Sequence, residues 1–153
     1  VLDAYPVDSI REIDGVWEAD RVTVEGRDLS LDDIEHGIVR PVFGDARIHY
    51  AVNCAAVGCP DLAAAPYRGD ALDGQLDAAA RAYVNDARGV RIGAGGGVTV
   101  SSIYNWFQED FGGGEAAVLD HLERYAEPAL AADLANASGI DGYAYDWALN
   151  DAR

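Results

Sequence analysis

The chain has 153 residues, 50% of them hydrophobic, which is the size and composition of one globular domain with its own core. Its 27 acidic residues against 11 basic ones give a formal net charge of -16, so we expect neither a nucleic acid nor an anionic membrane surface as its partner. All the basic residues are arginine, which excludes a Schiff-base or P-loop lysine, and no apolar run approaches the roughly 20 residues that span a bilayer.

The first third of the chain predicts irregular structure, a strand and a helix. Residues 1–20 have the pattern of irregular structure or short helical turns, and the alternation over 21–25 is typical of a strand. Ser30 stands before three acidic residues and an apolar face, which predicts the N-cap of a helix that ends near Pro41.

The segment 48–60 holds both cysteines and one of the three histidines, so we expect the chemistry of the protein to be located there. Alternation from residue 48 to residue 53 predicts a short strand that ends at Cys54. Cys59 follows in a loop of small residues. Because strand ends and the loops beyond them can present a side chain to a ligand, the Cys54 thiol should be accessible.

The rest of the chain predicts helices around a hairpin. Apolar spacing predicts an amphipathic helix over 70–86, and the segments 90–92 and 98–100 predict a hairpin around a glycine-rich turn. No lysine follows these glycines, so we interpret them as a flexible turn and not as a phosphate loop. The later elements are a helix that begins at Ser101 or Ser102, helices near 115–126 and 128–136, and a closing strand through Tyr143, Tyr145 and Trp147. The predicted fold class is α+β, a small mixed or antiparallel sheet packed with several helices.

Four separated strings resemble the DUF547 family, a domain of unknown function. They are LSLDDIEHGIVRP, HYAVNCAAVGCPDL, SSIYNWFQEDFGG and YAYDWALN, which stand in the family's order over essentially the whole chain. Residues 1–153 would therefore form a single domain of this type. The family usually has further helices upstream and the chain begins at Val1, not at methionine, so the resemblance implies a C-terminal portion of the full domain.

The resemblance also implies something about location and chemistry. Bacterial members often carry export signals, which is compatible with a periplasmic or secreted protein. Some related proteins join the domain to glutaredoxin-like regions, which suggests thiol or glutathione chemistry. The mixed helix and sheet content invites comparison with papain-like and transglutaminase-like folds, as an analogy only.

The preferred functional hypothesis is a hydrolase or acyl transferase that depends on cysteine and histidine. Cys54 would attack a carbonyl, and His36 or His49 would take its proton. Glu35 or Asn53 would orient the imidazole. A free thiol has a pKa of about 8.5 and needs activation at neutral pH. The substrate would be a peptide-like or glutathione-like small molecule, and the acidic balance favours a neutral or cationic ligand over an anion.

Two other uses of the same residues stay open. Cys54 and Cys59 are close enough in sequence for a disulfide, either in a binding or structural module without catalysis or in a thiol-redox role, although their spacing is not the C-x-x-C of thioredoxin-like enzymes. The two cysteines with His36 and His49 have the donor types of a tetrahedral zinc site, but their spacing fits no usual zinc motif. We therefore predict no metal and no cofactor.

Structural explanations apply to the same residues. Cysteine packs like a small hydrophobe, so Cys54 could simply fill the core, and His49 could be a hydrogen-bonded core histidine. Aromatic residues at helical spacing are more often core than cleft. This interpretation covers Tyr104, Trp106, Phe107, Phe111, Tyr145 and Trp147. The neighbouring pair Glu109 and Asp110 is interpreted as a solvated helix end. The alternative is that these carboxylates contact an amine of the substrate.

Overall fold

The computed structural model describes residues 2–151, and the predicted α+β class is confirmed within them. The α-helices are α1 (Arg40–Phe43), α2 (Leu72–Val84), α3 (Ile103–Trp106), α4 (Glu115–Tyr125) and α5 (Pro128–Ala135). The strands are β1 (Val22–Val24), β2 (Arg27–Leu29), β3 (Val90–Ile92), β4 (Val98–Ser101) and β5 (Gly142–Ala144). Short 3-10 helices lie at Leu2–Ala4, Ile10–Glu12, Ala46–Tyr50 and Gln108–Phe111.

The strands form two small sheets. β1 and β2 make an antiparallel hairpin, and a second sheet has the order β3-β4-β5, in which β4 pairs antiparallel with β3 and parallel with β5. The closing strand is shorter than predicted, because only Tyr143 of its three predicted aromatic residues lies in β5. Tyr145 and Trp147 follow it in extended chain. No helix within residues 2–151 has the length and apolarity needed to cross a bilayer.

The core lies between the three-stranded sheet and the helices α2, α4 and α5. It is built largely from tyrosines and β-branched residues, whose burial supplies most of the stabilisation of a domain of this size. Its most deeply buried large side chains are Tyr50, Tyr104, Leu122, Val84, Val98, Val100 and Val118.

The predicted helix after Ser30 contains a widened segment. The Ser30 hydroxyl accepts a hydrogen bond from the Asp33 N–H at 3.0 Å, and Ser30 N–H donates to the Asp33 carboxylate at 3.0 Å, so the two residues cap this helix reciprocally. From Asp33 to Val39 the helix is a π-helix, in which Arg40 N–H donates to the Glu35 carbonyl. The helix does not end near Pro41 as predicted but continues through α1 to Gly44, whose φ of 56° terminates it.

The predicted strand over residues 48–53 is wrong. A 3-10 helix (Ala46–Tyr50) occupies this position, and Ile48, His49 and Tyr50 are all buried. The Asp45 carboxylate accepts a hydrogen bond from Arg47 N–H at 2.9 Å and so caps the turn, an option that alternation in the sequence does not reveal. Cys54 therefore does not lie at the end of a strand.

The cysteine loop pairs with the C-terminal segment instead. Val57 N–H donates to the Ala148 carbonyl and Gly58 N–H to the Asp146 carbonyl, each at 2.8 Å. The two segments approach so closely that a Cβ on Gly58 would lie 2.8 Å from the Asp146 nitrogen. This contact places Tyr145 beside the cysteines.

Candidate functional site

A cavity of about 440 Å³ lies between the π-helix, the cysteine loop, α3 and the segment after β5. Its volume and mostly apolar walls are typical of a small-molecule site. All six candidate site residues line it, namely Glu35, His36, His49, Asn53, Cys54 and Cys59. π-Helical segments are rare and occur frequently at functional sites, and here the π-helix contributes Glu35 and His36.

The two cysteines lie within disulfide distance of each other, with their Cα atoms 6.4 Å apart. They differ in exposure, because Cys54 is partly exposed to the cavity whereas Cys59 is 3% exposed. Cys54 N–H donates to the Cys59 sulfur at 3.0 Å, and the Tyr145 hydroxyl lies 3.0 Å from each sulfur. When the sulfurs are bonded to each other neither carries a proton, so the Tyr145 hydroxyl is then the donor.

Asn53 shapes the loop that holds this pair. Its side-chain amide donates to the Pro60 carbonyl at 2.8 Å, and its side-chain oxygen accepts a hydrogen bond from Ala55 N–H at 2.7 Å. Ala55 has a φ of 60°, a left-handed conformation that an L-residue other than glycine adopts rarely. Asn53 thus bonds to the backbone at both ends of the cysteine loop, and its amide is engaged there and not with a histidine.

The second feature of the site is His49, which lines the cavity, and its partner Asp110, which does not. His49 Nε2 lies 2.7 Å from the Asp110 carboxylate, which also accepts two hydrogen bonds from the Arg40 guanidinium at 2.6 and 3.0 Å. The ring of His49 stacks on Phe107 with a centroid separation of 4.2 Å. Asp110 and Arg40 therefore fix the orientation of the imidazole, and the ionised carboxylate makes Nε2 the protonated nitrogen.

Burial and charge set the protonation of these groups. Burial lowers the pKa of His49, although the Asp110 hydrogen bond opposes this, so the ring is neutral at neutral pH. The Arg40 guanidinium lowers the pKa of Asp110, which keeps that carboxylate ionised. Burial raises the pKa of Tyr145, so its hydroxyl keeps its proton and can donate.

The π-helix presents Glu35 and His36 differently. His36 Nδ1 accepts a hydrogen bond from the Arg40 guanidinium at 3.1 Å, and its Nε2 lies 3.8 Å from the Asp32 carboxylate. Glu35 is half-buried, and its carboxylate makes no hydrogen bond or ion pair with the described residues. Burial raises the pKa of Glu35, while His36 and Arg40 lower it.

The structure does not join the cysteines to either histidine. Within residues 2–151, neither sulfur makes a hydrogen bond to His36 or His49. Nor do three or more histidine, cysteine, aspartate or glutamate side chains converge in the described part of the chain as they would around a metal ion. The sulfur pair and the His49–Asp110 pair are thus separate features, and of these four residues Cys54, Cys59 and His49 line the cavity.

The aromatic residues divide between core and cavity. Tyr104 and Phe111 are buried, as predicted, at 0% and 5% exposure. Phe107 and Tyr145 pack against the core and also line the cavity, whereas the expectation is wrong for Trp106 and Trp147, which line the cavity and do not belong to the core cluster. Trp17 lines the cavity too, so all three tryptophans of the chain surround this space.

Arg40, Asp110 and Tyr145 are not among the six candidate site residues predicted from the sequence. Asp110 is not a solvated helix end but the partner of Arg40, 70 positions away. Tyr145 contacts Cys54 over a separation of 91 positions. The sequence contains only two local signals of these contacts, the aromatic run around Trp106 and Arg40 one helical turn after His36. Neither signal identifies the partner residue.

Comparison with known proteins supports the family resemblance. A model of the family described as "Protein of unknown function, DUF547" matches residues 3–84, more than half of the chain. The match contains the first two of the four strings, while the strings at 101–113 and 143–150 lie beyond it. Neither the curated proteins nor the solved structures contain a match to this chain, so the comparison with papain-like folds stays an analogy. The chain belongs to the DUF547 family.

Proposed function

We propose that the cavity is a thiol–disulfide exchange site, in which Cys54 is the exchanging sulfur and Cys59 resolves the mixed disulfide. The observation that carries this proposal is the sulfur pair itself, which lies in the wall of a cavity of small-molecule size. The sulfurs are unequal, with Cys54 partly exposed and Cys59 buried. An accessible attacking thiol beside a protected resolving thiol is the arrangement that exchange requires.

The reaction balances without a further oxidant. A substrate thiolate attacks the Cys54 sulfur, the bond between Cys54 and Cys59 breaks, and Cys59 leaves as a thiolate. A second substrate thiolate then attacks the substrate sulfur of the mixed disulfide, which releases a substrate disulfide and the Cys54 thiolate. In the reverse direction the Cys54 thiolate attacks a substrate disulfide and displaces one substrate thiolate. The Cys59 thiolate then attacks the Cys54 sulfur, which re-forms the bond between Cys54 and Cys59 and displaces the second substrate thiolate.

The surroundings of Cys59 suit a leaving group. Its sulfur lies 3.0 Å from both the Cys54 N–H and the Tyr145 hydroxyl. Hydrogen bonds to a charged form lower its free energy, so these two donors would stabilise the Cys59 thiolate as the bond breaks.

Trapping the intermediate tests the proposal. The Cys59→Ser protein has Cys54 as its one thiol, and on incubation with 2-hydroxyethyl disulfide it should gain the mass of one hydroxyethylthio group at Cys54. The matched Cys54→Ser protein keeps only the buried Cys59 and should react at least about tenfold more slowly. Equal rates in the two folded variants, or reaction only in urea, would overturn the proposal.

The His49–Asp110 pair favours a second function, the cysteine-dependent hydrolase or acyl transferase. A neutral imidazole oriented by a carboxylate at 2.7 Å is the base half of such a site. Reduction of the sulfur pair would free Cys54 as the nucleophile. In this case reduced Cys59→Ser protein should hydrolyse p-nitrophenyl acetate with turnover, and His49→Gln should abolish turnover while His121→Gln retains it. A single burst without turnover would exclude this second function.

A further inference from the structure

We infer that the cavity selects substrates that carry an organic cation, an alkylammonium or guanidinium group, with Glu35 as the counter-ion and the rings of Trp106, Tyr145 and Trp147 as the surface on which the cation lies. This inference rests on the proposed function for the chemistry of the substrate, which would be an amine-bearing thiol or disulfide. The binding of the cation is independent of that chemistry.

The charge of the cavity favours a cation. Its lining includes the carboxylates of Asp32 and Glu35 and no arginine, and its two histidines include His49, which burial keeps neutral. The chain as a whole has a formal net charge of -16, so the field outside the cavity has the same sign. Both the charge of the cavity and the charge of the whole chain would repel an anionic thiol such as glutathione.

Glu35 is the carboxylate that remains available. Asp110 is already engaged by Arg40 and His49, and Asp32 lies 3.8 Å from His36. Glu35 is half-buried without a hydrogen bond or ion pair to any described residue. Burial is the largest influence on Glu35 and raises its pKa even though His36 and Arg40 act in the opposite direction, so a ligand cation beside Glu35 would offset the remaining cost of burying this charge.

The aromatic surface lies next to this carboxylate. The rings of Trp106, Tyr145 and Trp147 contact one another, with centroids 4.8 Å apart from Tyr145 to each tryptophan and 5.5 Å apart between the tryptophans. Trp106 is 45% exposed, so part of its ring is open to a ligand. Cations are attracted to the faces of such rings, and several rings around one cation recognise alkylammonium groups.

The chain itself already shows this kind of contact at the same place. The guanidinium of Arg11 lies 5.2 Å from the ring centroid of Trp147. One face of Trp147 thus accommodates a cation from within the protein, while Trp106 and Tyr145 carry no such intramolecular cation among the described residues.

Charge selection in the exchange reaction gives the first test. Rates of mixed-disulfide formation by Cys59→Ser protein are measured with cationic cystamine, neutral 2-hydroxyethyl disulfide and anionic dithiodiglycolate. Each rate is divided by the rate at which the same disulfide reacts with the free thiol N-acetylcysteine. Cystamine should exceed the neutral compound by about tenfold, the ratio expected for one ion pair with partial desolvation. In Glu35→Gln protein that keeps the native circular dichroism spectrum, cystamine should react no faster than 2-hydroxyethyl disulfide, and a persisting preference of about tenfold would overturn the role of Glu35. Glu123→Gln, the same change on an exposed glutamate of α4, should keep the preference for cystamine.

Binding without chemistry gives the second test. The Cys54→Ser/Cys59→Ser protein cannot exchange, and because all three tryptophans line the cavity, its fluorescence reports binding there. Choline should bind at least about tenfold more tightly than its neutral analogue 3,3-dimethyl-1-butanol, and Glu35→Gln should equalise the two. Choline binding without any exchange would support the cation site and overturn the exchange function. Exchange with equal rates for all three disulfides, and no choline binding, would overturn the cation site alone.

Discussion

Replacing Asp110 by asparagine should destabilise the protein and release His49. The Asp110 carboxylate accepts two hydrogen bonds from Arg40, at 2.6 and 3.0 Å, and one from His49 Nε2 at 2.7 Å. An amide in its place keeps the shape but loses the charge, and its NH2 group cannot accept a hydrogen bond. At least one of the three donors is then left without an acceptor.

The size of the effect follows from these contacts. A hydrogen bond to a charged group contributes about 1.5–3 kcal/mol to the free energy of unfolding. The sum over all three bonds is an upper bound for the loss in Asp110→Asn, because the amide oxygen of asparagine still accepts hydrogen bonds. The side chains of Arg40 and Asp110 are 27% and 26% exposed, so solvent screens their ion pair. We expect a loss of about 2–3 kcal/mol in the free energy of unfolding, which is roughly 5–10 °C in Tm for a domain of this length.

The pH dependence gives this prediction a sign. Since Arg40 lowers the pKa of Asp110 in the folded state, the stabilising contribution is complete above the unfolded-state pKa of about 3.9 and is lost as the pH falls through the lower folded-state pKa. Urea unfolding of wild type and Asp110→Asn should therefore differ at pH 7, and the difference should shrink as the pH falls below about 3.9. Asp133→Asn, an exposed aspartate on α5, is the control. A loss below about 0.5 kcal/mol at pH 7, or the same loss at pH 3, would refute the reasoning.

Three further predictions concern the surroundings of the site. Burial lowers the pKa of His121 to about 4. The contribution of the neutral ring to the free energy of unfolding is therefore complete above a pH of about 6.5 and is lost as the pH falls toward 4. His121→Gln should reduce the loss of unfolding free energy in acid by about 2–3 kcal/mol, and an unchanged pH profile would refute this. Gly58→Ala would bring a Cβ to 2.8 Å from the Asp146 nitrogen and should cost about 1–3 kcal/mol in thermal unfolding, whereas Gly74→Ala, with open space in α2, should stabilise; equal effects would contradict the close approach. Tyr145→Phe removes the hydroxyl that lies 3.0 Å from each sulfur and should slow disulfide exchange about threefold to tenfold in stopped-flow measurements, and an unchanged rate would show that the hydroxyl does not assist the Cys59 thiolate.

Local patterns predicted the elements whose stability is local. The apolar spacing of α2 and the alternation on both sides of the glycine turn each gave the observed element within a few residues. The 3-10 helix (Ala46–Tyr50) was missed, because alternation in a short apolar run does not distinguish a strand from a turn capped by Asp45.

The candidate site was predicted in part for a similar reason. The six candidate residues could be selected because five of them carry reactive or ionisable groups, and the sixth, Asn53, a hydrogen-bonding amide, within two short segments. Their partners Asp110 and Tyr145 come from elements that only the tertiary fold brings near, the 3-10 helix (Gln108–Phe111) and the chain after β5. Nothing in the chemistry of an isolated aspartate or tyrosine distinguishes such a partner from a surface or core residue.

The most direct test of the exchange site is the redox state of Cys54 and Cys59 in the folded protein. The protein is equilibrated in cystamine and cysteamine buffers of graded potential, alkylated with iodoacetamide under native conditions, and measured by intact mass. An exchange site should convert reversibly between disulfide and dithiol without loss of the native circular dichroism spectrum, with Cys54 alkylated before Cys59. If no label enters until the chain is unfolded, the two cysteines form a structural disulfide and the exchange function is wrong.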